Sequence, residues 1–293
     1  MANSNPIKLT KLAHLKGHSD AIYDFCVDQD RGLIYSAGSD GFIVRWSIDN
    51  PDIGELVLQM DEAIYSIYLS KEGEELYAGT GKGKVYQVDL KNSELERVIK
   101  RHNGGVFFID KHGEELITGG EDGSLNIGEN QKLKLSKKSL RSIAKSDKHI
   151  AIGSSDQLIY ILNASLEVIA RLEGHENSVF GLTFLDENLL YSCGRDAHIK
   201  LWDIWSQKAL VSVPAHTYQA KTLSFNSELL LSASMDKSIK VWDADLNLLK
   251  VIDYARNQGH INSVNKVRWL NKEMFVSSSD DRTLIIWQVQ LIN

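Results

Sequence analysis

The stretch SSSDDRTLIIW, residues 277–287, contains the spacing that decides the fold. Its Asp281 precedes Trp287 by six positions, and the same interval recurs in SCGRDAHIKLW (192–202), SASMDKSIKVW (232–242) and AGSDGFIVRW (37–46). Apolar residues lead up to the Trp in every copy. Four such segments along one chain indicate an internal repeat, which has to be settled before any other interpretation.

Three weaker copies complete the series. In AGTGKGKVYQ (78–87), Gly81 stands where the Asp is expected. GGEDGSLNIG (119–128) keeps Asp122 but ends in Gly128, and GSSDQLIYIL (153–162) keeps Asp156 but ends in Leu162. The seven register positions are 41, 41, 34, 40, 40 and 45 residues apart. Most steps match the roughly 40–45 residues of a four-stranded propeller blade, and the 34-residue step predicts shortened loops between residues 128 and 140.

Each repeat predicts four short strands. In the fifth these are VFGLTF, NLLYSC, HIKLWDI and a run near 209–213, all rich in β-branched and aromatic residues. No segment has a helical period. Seven such sheets arranged radially close a ring that leaves only short edges exposed. The sequence therefore predicts a single all-β domain over residues 1–293, a seven-bladed β-propeller of four-stranded antiparallel blades.

The two ends of the chain predict how the ring closes. Only six residues follow Trp287, so the seventh repeat lacks its outer strand. The segment IKLTKL, Ile7 to Leu12, is a spare strand before Gly17 and His18. We therefore expect the N-terminal strand to complete the last blade through hydrogen bonds between the two ends of the chain.

A histidine and a hydroxyl recur upstream of the register Asp. Four complete sets with a Trp are present: His18/Ser36/Asp40/Trp46, His175/Ser192/Asp196/Trp202, His216/Ser232/Asp236/Trp242 and His260/Ser277/Asp281/Trp287. The third repeat has His102, Thr118 and Asp122 without the Trp, while Met60 and Ser136 stand near the His position of repeats two and four. The chain resembles the WD-repeat family, whose structural tetrad has this composition, and the resemblance implies a small protein with one propeller.

The repeated Ser, His and Asp also raise the possibility of a hydrolase. A catalytic triad occurs once, with an exposed nucleophile in a pocket, whereas this set recurs at blade spacing beside a Trp. A buried relay explains it better: indole N–H to hydroxyl, hydroxyl to imidazole, and imidazole N–H to carboxylate, so that each polar group has a partner. We expect no catalytic residues, no metal site and no cofactor among these residues.

Composition narrows the class of protein. Hydrophobic residues make up 43% of the chain, enough for a sizeable core, and the net charge is -6. Because phosphate neutralisation supplies much of the affinity for nucleic acid, a nucleic-acid partner is not expected. Cys26 and Cys193 lie in apolar runs and are expected to be buried. No secretory signal or membrane span is apparent in the sequence, so a cytoplasmic protein is expected.

The resemblance implies that partners bind the face carrying the His loops and Asp turns. Two positions per repeat are expected there. One follows the first apolar residue of the inner strand: Tyr23, Tyr65, Phe107, Arg141, Phe180, Lys221 and Asn265. The other precedes the register position: Ser39, Thr80, Glu121, Ser155, Arg195, Met235 and Asp280. The candidate partner-binding residues are Tyr23, Tyr65, Phe107, Arg141, Phe180, Arg195 and Lys221.

Two functions remain open at this point. Aromatic and Arg side chains are common interface anchors, which favours a non-catalytic protein- or peptide-binding scaffold, monomeric outside its complex. The basic arc of Arg141, Arg195 and Lys221 suits a partner with an acidic group. The aromatics could instead only plug the channel. The alternative function is an enzyme or small-molecule binder that uses the central channel, since one fold hosts many functions.

Overall fold

The computed structural model describes residues 7–291, which form 28 strands and one four-residue helix. The strands are β1 (Ile7–Lys16), β2 (Ile22–Asp28), β3 (Leu33–Gly38), β4 (Phe42–Ser47), β5 (Glu55–Gln59), β6 (Ile64–Leu69), β7 (Glu75–Thr80), β8 (Lys84–Asp89), β9 (Glu94–Lys100), β10 (Val106–His112), β11 (Glu115–Gly120), β12 (Ser124–Ile127), β13 (Gln131–Lys134), β14 (Leu140–Lys145), β15 (Ile150–Ser154), β16 (Ile159–Leu162), β17 (Val168–Leu172), β18 (Val179–Phe184), β19 (Leu189–Gly194), β20 (His198–Asp203), β21 (Lys208–Pro214), β22 (Ala220–Phe225), β23 (Leu229–Ser234), β24 (Ile239–Asp243), β25 (Leu248–Ile252), β26 (Val264–Trp269), β27 (Met274–Ser279) and β28 (Thr283–Leu291). The helix is α1 (Tyr254–Asn257).

The strands form seven four-stranded antiparallel sheets, one for each predicted repeat. In the first six blades the strands follow chain order from β2 to β25, and the seventh has the order β26, β27, β28, β1. The first strand of each blade faces the central channel and packs against the first strand of the next blade, with β26 returning to β2. The predicted all-β, seven-bladed propeller is confirmed.

The N-terminal strand closes the ring, as predicted. Strand β1 pairs antiparallel with β28, from Ile7 opposite Leu291 to Lys16 opposite Thr283. It is longer than the predicted Ile7–Leu12 and contains a β-bulge at Leu12. Residues 1–6 and 292–293 lie outside the described residues. The expectations about a signal segment and about the limits of the domain at 1 and 293 fall on these residues and stay predictions.

The core lies between the blades. Successive sheets pack face to face through apolar side chains, such as the buried Trp287, Phe275 and Trp269 against Leu231 and Val241 of the preceding blade. Burying side chains of this size is worth about 1.5–3 kcal/mol each. The packing fixes the positions of the inner strands and of the loops at both ends of the channel.

The longest and shortest repeats have simple structural causes. Helix α1 follows β25, a feature that the sequence did not predict, and Asp253 caps it by accepting a hydrogen bond from the Arg256 N–H. This insertion accounts for the 45-residue step. The 34-residue step was predicted to come from shortened loops, but the shortening lies mainly in the strands, because β12 and β13 have only four residues each. Nowhere in residues 7–291 is a helix long and apolar enough to cross a bilayer.

Candidate functional site

A β-bulge in the inner strand of every blade leaves one residue without a partner on the next strand. In β2, Ile22 pairs with Gly38 and Asp24 with Ala37, so Tyr23 is the extra residue. The equivalent residues are Tyr65, Phe107, Arg141, Phe180, Lys221 and Asn265. Bulges re-aim side chains, and all seven line the central channel. We call these seven residues the mouth ring.

Four aromatic side chains share the mouth ring. The rings of Tyr23 and Tyr65 meet edge to face, with centroids 5.5 Å apart. Tyr65 and Phe107 are stacked at 5.8 Å and almost parallel. These contacts agree with the preferred geometries of aromatic pairs. They produce a half-buried apolar arc over blades one to three.

Arg141 links this arc to Phe180. Its guanidinium carbon lies 4.1 Å from the Phe107 ring centroid and 5.8 Å from that of Phe180. Its Nε donates to Ser155 Oγ at 3.0 Å, and no described carboxylate forms an ion pair with it. Burial lowers the pKa of Arg141, an effect that the charge of Glu121 partly offsets, but an Arg remains protonated at physiological pH. A fixed cation between two aromatic rings suits a planar anion.

Lys221 is held in a different way. Its Nζ donates to Asn265 Oδ1 at 2.6 Å, and the Asn265 amide donates in turn to Asp280 Oδ1 at 2.7 Å. Burial lowers the pKa of Lys221, and Asp280 partly offsets this. The ammonium is therefore directed around the ring towards blade seven, and it is less free than Arg141 to meet a ligand.

The second predicted set of face residues is less uniform. Arg195 is exposed beside Arg141, whose pKa it helps to lower, and no described residue forms an ion pair with it. Thr80 is fully buried, so the expectation that it faces solvent is wrong. The carboxylate of Glu62 lies in that blade, where it accepts from Lys84 Nζ at 2.6 Å. The Thr80 hydroxyl donates to the Lys84 carbonyl within the same turn, so its side chain is turned into the protein.

Sequence reasoning missed exposed apolar side chains in the loops that carry the tetrad histidines. Tyr218 and Ile261 follow the His loops of blades six and seven, and Met235 precedes Asp236; all three are exposed. The Met235 position was noted, but the loop residues were not, because only the His itself marks a repeat. Exposed apolar groups on a binding face add contact area for a partner.

The central channel has a volume of about 750 Å³. Carboxylates line its wall, but three of them already have partners. Asp24 accepts from Lys266 and from the Ile67 N–H across two blade boundaries, and Asp28 pairs with Arg31 at 2.9 Å. Asp110 pairs with Lys145. Paired carboxylates of this kind hold neighbouring blades and strands together, and offer little free base for chemistry.

The four predicted tetrads form closed relays. The indole N–H donates to the Ser Oγ at 2.7–2.9 Å in all four blades. The same Oγ lies 2.6–2.8 Å from His Nε2, and His Nδ1 lies 2.7–2.9 Å from the Asp. The imidazoles are buried, which agrees with the structural role predicted for them.

Two of the three irregular blades replace parts of the relay. In blade three, His102 contacts Thr118 at 2.9 Å and Asp122 at 2.8 Å, while Arg101 donates to the carbonyl at the missing Trp position, Gly128. In blade four, Asp156 accepts from Ser136 and Tyr160 hydroxyls at 2.5 and 2.6 Å. A serine and a tyrosine together thus replace the imidazole.

The cysteines and the carboxylates show no sign of a metal site or reactive thiol. Cys26 and Cys193 are buried and unpaired, as expected, and burial raises the pKa of Cys26 to about 12. Within residues 7–291, no group of three or more His, Cys, Asp or Glu side chains is placed to hold a metal ion.

This chain belongs to the WD-repeat family. The family profile described as "WD domain, G-beta repeat" matches residues 9–47, 166–203, 207–243 and 253–288, just over half of the chain. The matched segments contain the four complete tetrads. A solved structure, the WD40 β-propeller domain of Doa1, superposes with a TM-score of 0.85 at 22% identity and covers 96% of this chain and 97% of its own. At that identity the similarity shows the fold alone.

Curated relatives match part of the chain. Nuclear distribution protein PAC1 of Arthroderma otae is 31% identical over 160 residues, 49% of this chain and 34% of its own length. Pre-mRNA-processing factor 17 of Saccharomyces cerevisiae is 26% identical over 172 residues, 43% of this chain and 38% of its own. Protein tipD of Dictyostelium discoideum is 29% identical over 123 residues, 41% of this chain and 19% of its own. The chain therefore spans a fifth to two fifths of these relatives, and none of their names denotes an enzyme.

Proposed function

We propose that this propeller is a non-catalytic scaffold that binds a protein or peptide partner over the mouth ring. One observation carries the proposal: Arg141 is held between Phe107 and Phe180 at the channel mouth with no carboxylate partner among the described residues. A cation fixed in this way has already lost much of its side-chain entropy, which lowers the cost of binding an anion. The partner segment is expected to carry an acidic group.

The neighbours of Arg141 define the rest of the proposed partner. Tyr23 and Tyr65 extend the apolar arc on one side, and the exposed Arg195 adds a second cation on the other. An acidic side chain beside an apolar one would contact both. Lys221 contributes less, because Asn265 already holds its ammonium.

The alternative, chemistry or small-molecule binding in the channel, has weaker support. The channel volume of about 750 Å³ would admit a small molecule. However, the tetrads account for the repeated Ser, His and Asp, and Asp24, Asp28 and Asp110 are already paired. We therefore retain the scaffold as the proposed function and the channel as its alternative.

The proposal also covers the class of partner, the oligomeric state and the cellular compartment. With a net charge of -6, a nucleic-acid partner is not expected, and neither is a membrane. We expect a monomer outside its complex, in the cytoplasm. Relatives named for nuclear distribution and for pre-mRNA processing make the nucleus the compartment to compare in a localisation experiment.

The test is a triple variant, Arg141→Ala, Arg195→Ala and Lys221→Ala, used as bait in a native lysate beside the parent. We expect the partners of the parent to be lost, because the variant removes all three cations of the basic arc. The recovered proteins are quantified by mass spectrometry, and thermal melts establish that the bait is folded.

A matched control changes three exposed lysines on the opposite face, Lys91, Lys208 and Lys272, to Ala. The same net charge is removed, so the control is expected to recover the parent's partners. Equal yields with the triple variant and the parent would exclude the basic arc as the binding site.

A further inference from the structure

A second groove lies at the closure of the ring, away from the mouth ring. It has a volume of about 530 Å³ and is formed by the end of β1, the segment after α1 and the turn between β27 and β28. None of its lining residues also lines the central channel. We call it the seam groove.

The bulge in β1 brings three basic side chains to this groove. Lys11 lies opposite Trp287, but Ala13 lies opposite the next residue, Ile286, so Leu12 is extra. In a regular strand, with Leu12 paired, Lys11 would share a side with Ala13, because side chains alternate. After the bulge, Ala13 and Leu15 pack towards blade one. Lys11, His14 and Lys16 therefore share the other side, and all three line the groove.

The positive charge of the seam groove is only partly compensated. Its cations are Lys11, Lys16 and Arg282, and neither Lys16 nor Arg282 forms an ion pair with a described residue. Lys11 donates to the Gln258 carbonyl at 2.8 Å. The one carboxylate, Asp281, already accepts hydrogen bonds from His260, the Ile261 N–H and Thr283.

The pKa of His14 responds to this local charge as well as to its partial burial. Burial and the charges of Lys11 and Lys16 lower its pKa to about 4, while Asp281 opposes the shift and His260 adds to it. The groove is thus strongly cationic on a chain whose net charge is -6. A local field of sign opposite to the net charge favours a specific anionic partner.

The groove also has an apolar side. Tyr254 is 60% exposed and Ile261 is 55% exposed, and both line it. We propose that the seam groove binds an acidic peptide segment of a partner protein, with a carboxylate among Lys11, Lys16 and Arg282 and an apolar side chain against Tyr254 and Ile261. Charge complementarity selects the carboxylate, and the exposed aromatic and aliphatic side chains select its apolar neighbour.

The probe is a phage-displayed library of random dodecapeptides, selected on the full chain carrying the Arg141, Arg195 and Lys221 to Ala changes. This bait lacks the three cations of the basic arc, so a peptide that it selects does not depend on the site of the proposed function. We expect selected peptides to combine Asp or Glu with an apolar residue. The double variant Lys16→Glu with Arg282→Glu reverses two exposed charges. It should lower the affinity for the selected peptides by at least about 10-fold, because attraction of the carboxylate becomes repulsion.

Two further measurements locate the bound peptide. The control Lys8→Glu with Lys91→Glu changes the charge equally away from the groove and should leave affinity within about 2-fold, since distant surface charges are screened. Bound carboxylate should also raise the pKa of His14 from about 4, which an NMR titration of its ring protons detects.

Several results would overturn the proposal. They are selected peptides without acidic residues, equal affinity after the Lys16 and Arg282 reversal in a folded variant, or a His14 pKa that the peptide does not move. Charge-dependent retention on phosphatidylserine vesicles or on an oligonucleotide, with no acidic peptide selected, would replace the peptide by that polyanion and equally overturn it.

Discussion

One hydroxyl oxygen serves two neighbours in the tetrad of blade five. Trp202 donates to Ser192 Oγ at 2.7 Å, and the Ser192 hydroxyl donates to His175 Nε2 at 2.6 Å. This direction follows because Nδ1 of the ring carries the proton that Asp196 accepts at 2.7 Å. The tetrad thus ties β19 and β20 to the loop before β18 and the turn that holds Asp196.

Removal of Asp196 tests whether that network is buried and continuous. Burial disfavours its charge, but the hydrogen bond from His175, with those from the N–H groups of Glu176 and His198, lowers its pKa to about 2. Asp196→Ala strands these donors, which should cost about 1–3 kcal/mol of unfolding free energy. Urea unfolding measures the change.

The matched control is Asp245→Ala, an exposed carboxylate in a turn of the next blade. It should change the unfolding free energy by no more than about 0.5 kcal/mol, as surface substitutions usually do. Identical curves for Asp196→Ala and the parent would mean that the relay does not hold the blade together.

At the scale of the strand, the sequence predicted which residues are equivalent between blades, but not the β-bulge that orients their side chains. The equivalence of Tyr23, Arg141 and Lys221 could be predicted, because each follows the first apolar residue of an inner strand. The bulge that aims them into the channel could not, since it depends on pairing with the neighbouring strand. The prediction that Thr80 lies on the binding face was wrong for a related reason. Its burial depends on contacts with Lys84, which no repeat position marks.

The closing strand offers a prediction at the same scale. Leu15 is 1% exposed and packs with Ile22, Phe25 and Trp46 of blade one. Leu15→Ala leaves a cavity where the two ends of the chain meet, so it should lower the unfolding free energy by about 2–5 kcal/mol. Urea unfolding again gives the number.

Leu12 is the control from the same strand, because the bulge leaves it 46% exposed. Leu12→Ala should cost less than about 1 kcal/mol, as expected for a side chain that is only partly removed from water. Equal losses from the two variants would show that β1 contributes to the ring through its backbone pairing and not through packing at the seam.

For the whole molecule, closure of the ring assembles sites that no single repeat contains. The mouth ring needs all seven inner strands, and its repeat positions made it predictable. The seam groove joins Lys11 and Lys16 to Arg282 and Tyr254, which are distant in sequence and share no repeat position. A bulge like that of β1 recurs in the outer strands of five other blades, so it does not mark this set. No periodic signal marks it either, because α1, which carries Tyr254, occurs once among the described residues. The family pattern therefore predicted the common architecture and missed what distinguishes this chain.

Acid stability is a property of the whole ring, because its buried titratable groups act in the same direction. Burial is the main cause that lowers the pKa of His102 and His216. The unfolded chain therefore binds more protons below about pH 6.5, the ordinary pKa of His, and stability falls as pH falls. Burial opposes ionisation of the tetrad carboxylates, but hydrogen bonds from His and other donors lower their pKa, to about 2 for Asp196. Their contribution is present above about pH 4 and is lost as pH falls towards their folded values.

The expected profile is a melting temperature that is level at pH 7–8, declines below about pH 6.5 and declines more steeply below about pH 4. Differential scanning calorimetry at closely spaced pH values measures it. His216→Gln should flatten the first decline, because Gln does not titrate, although its melting temperature at pH 8 should also be lower through loss of the contact with Asp236. A melting temperature that stays constant from pH 7.5 to pH 5 would contradict the assignment of neutral, buried imidazoles to these blades, since every such ring must be protonated when the chain unfolds in acid.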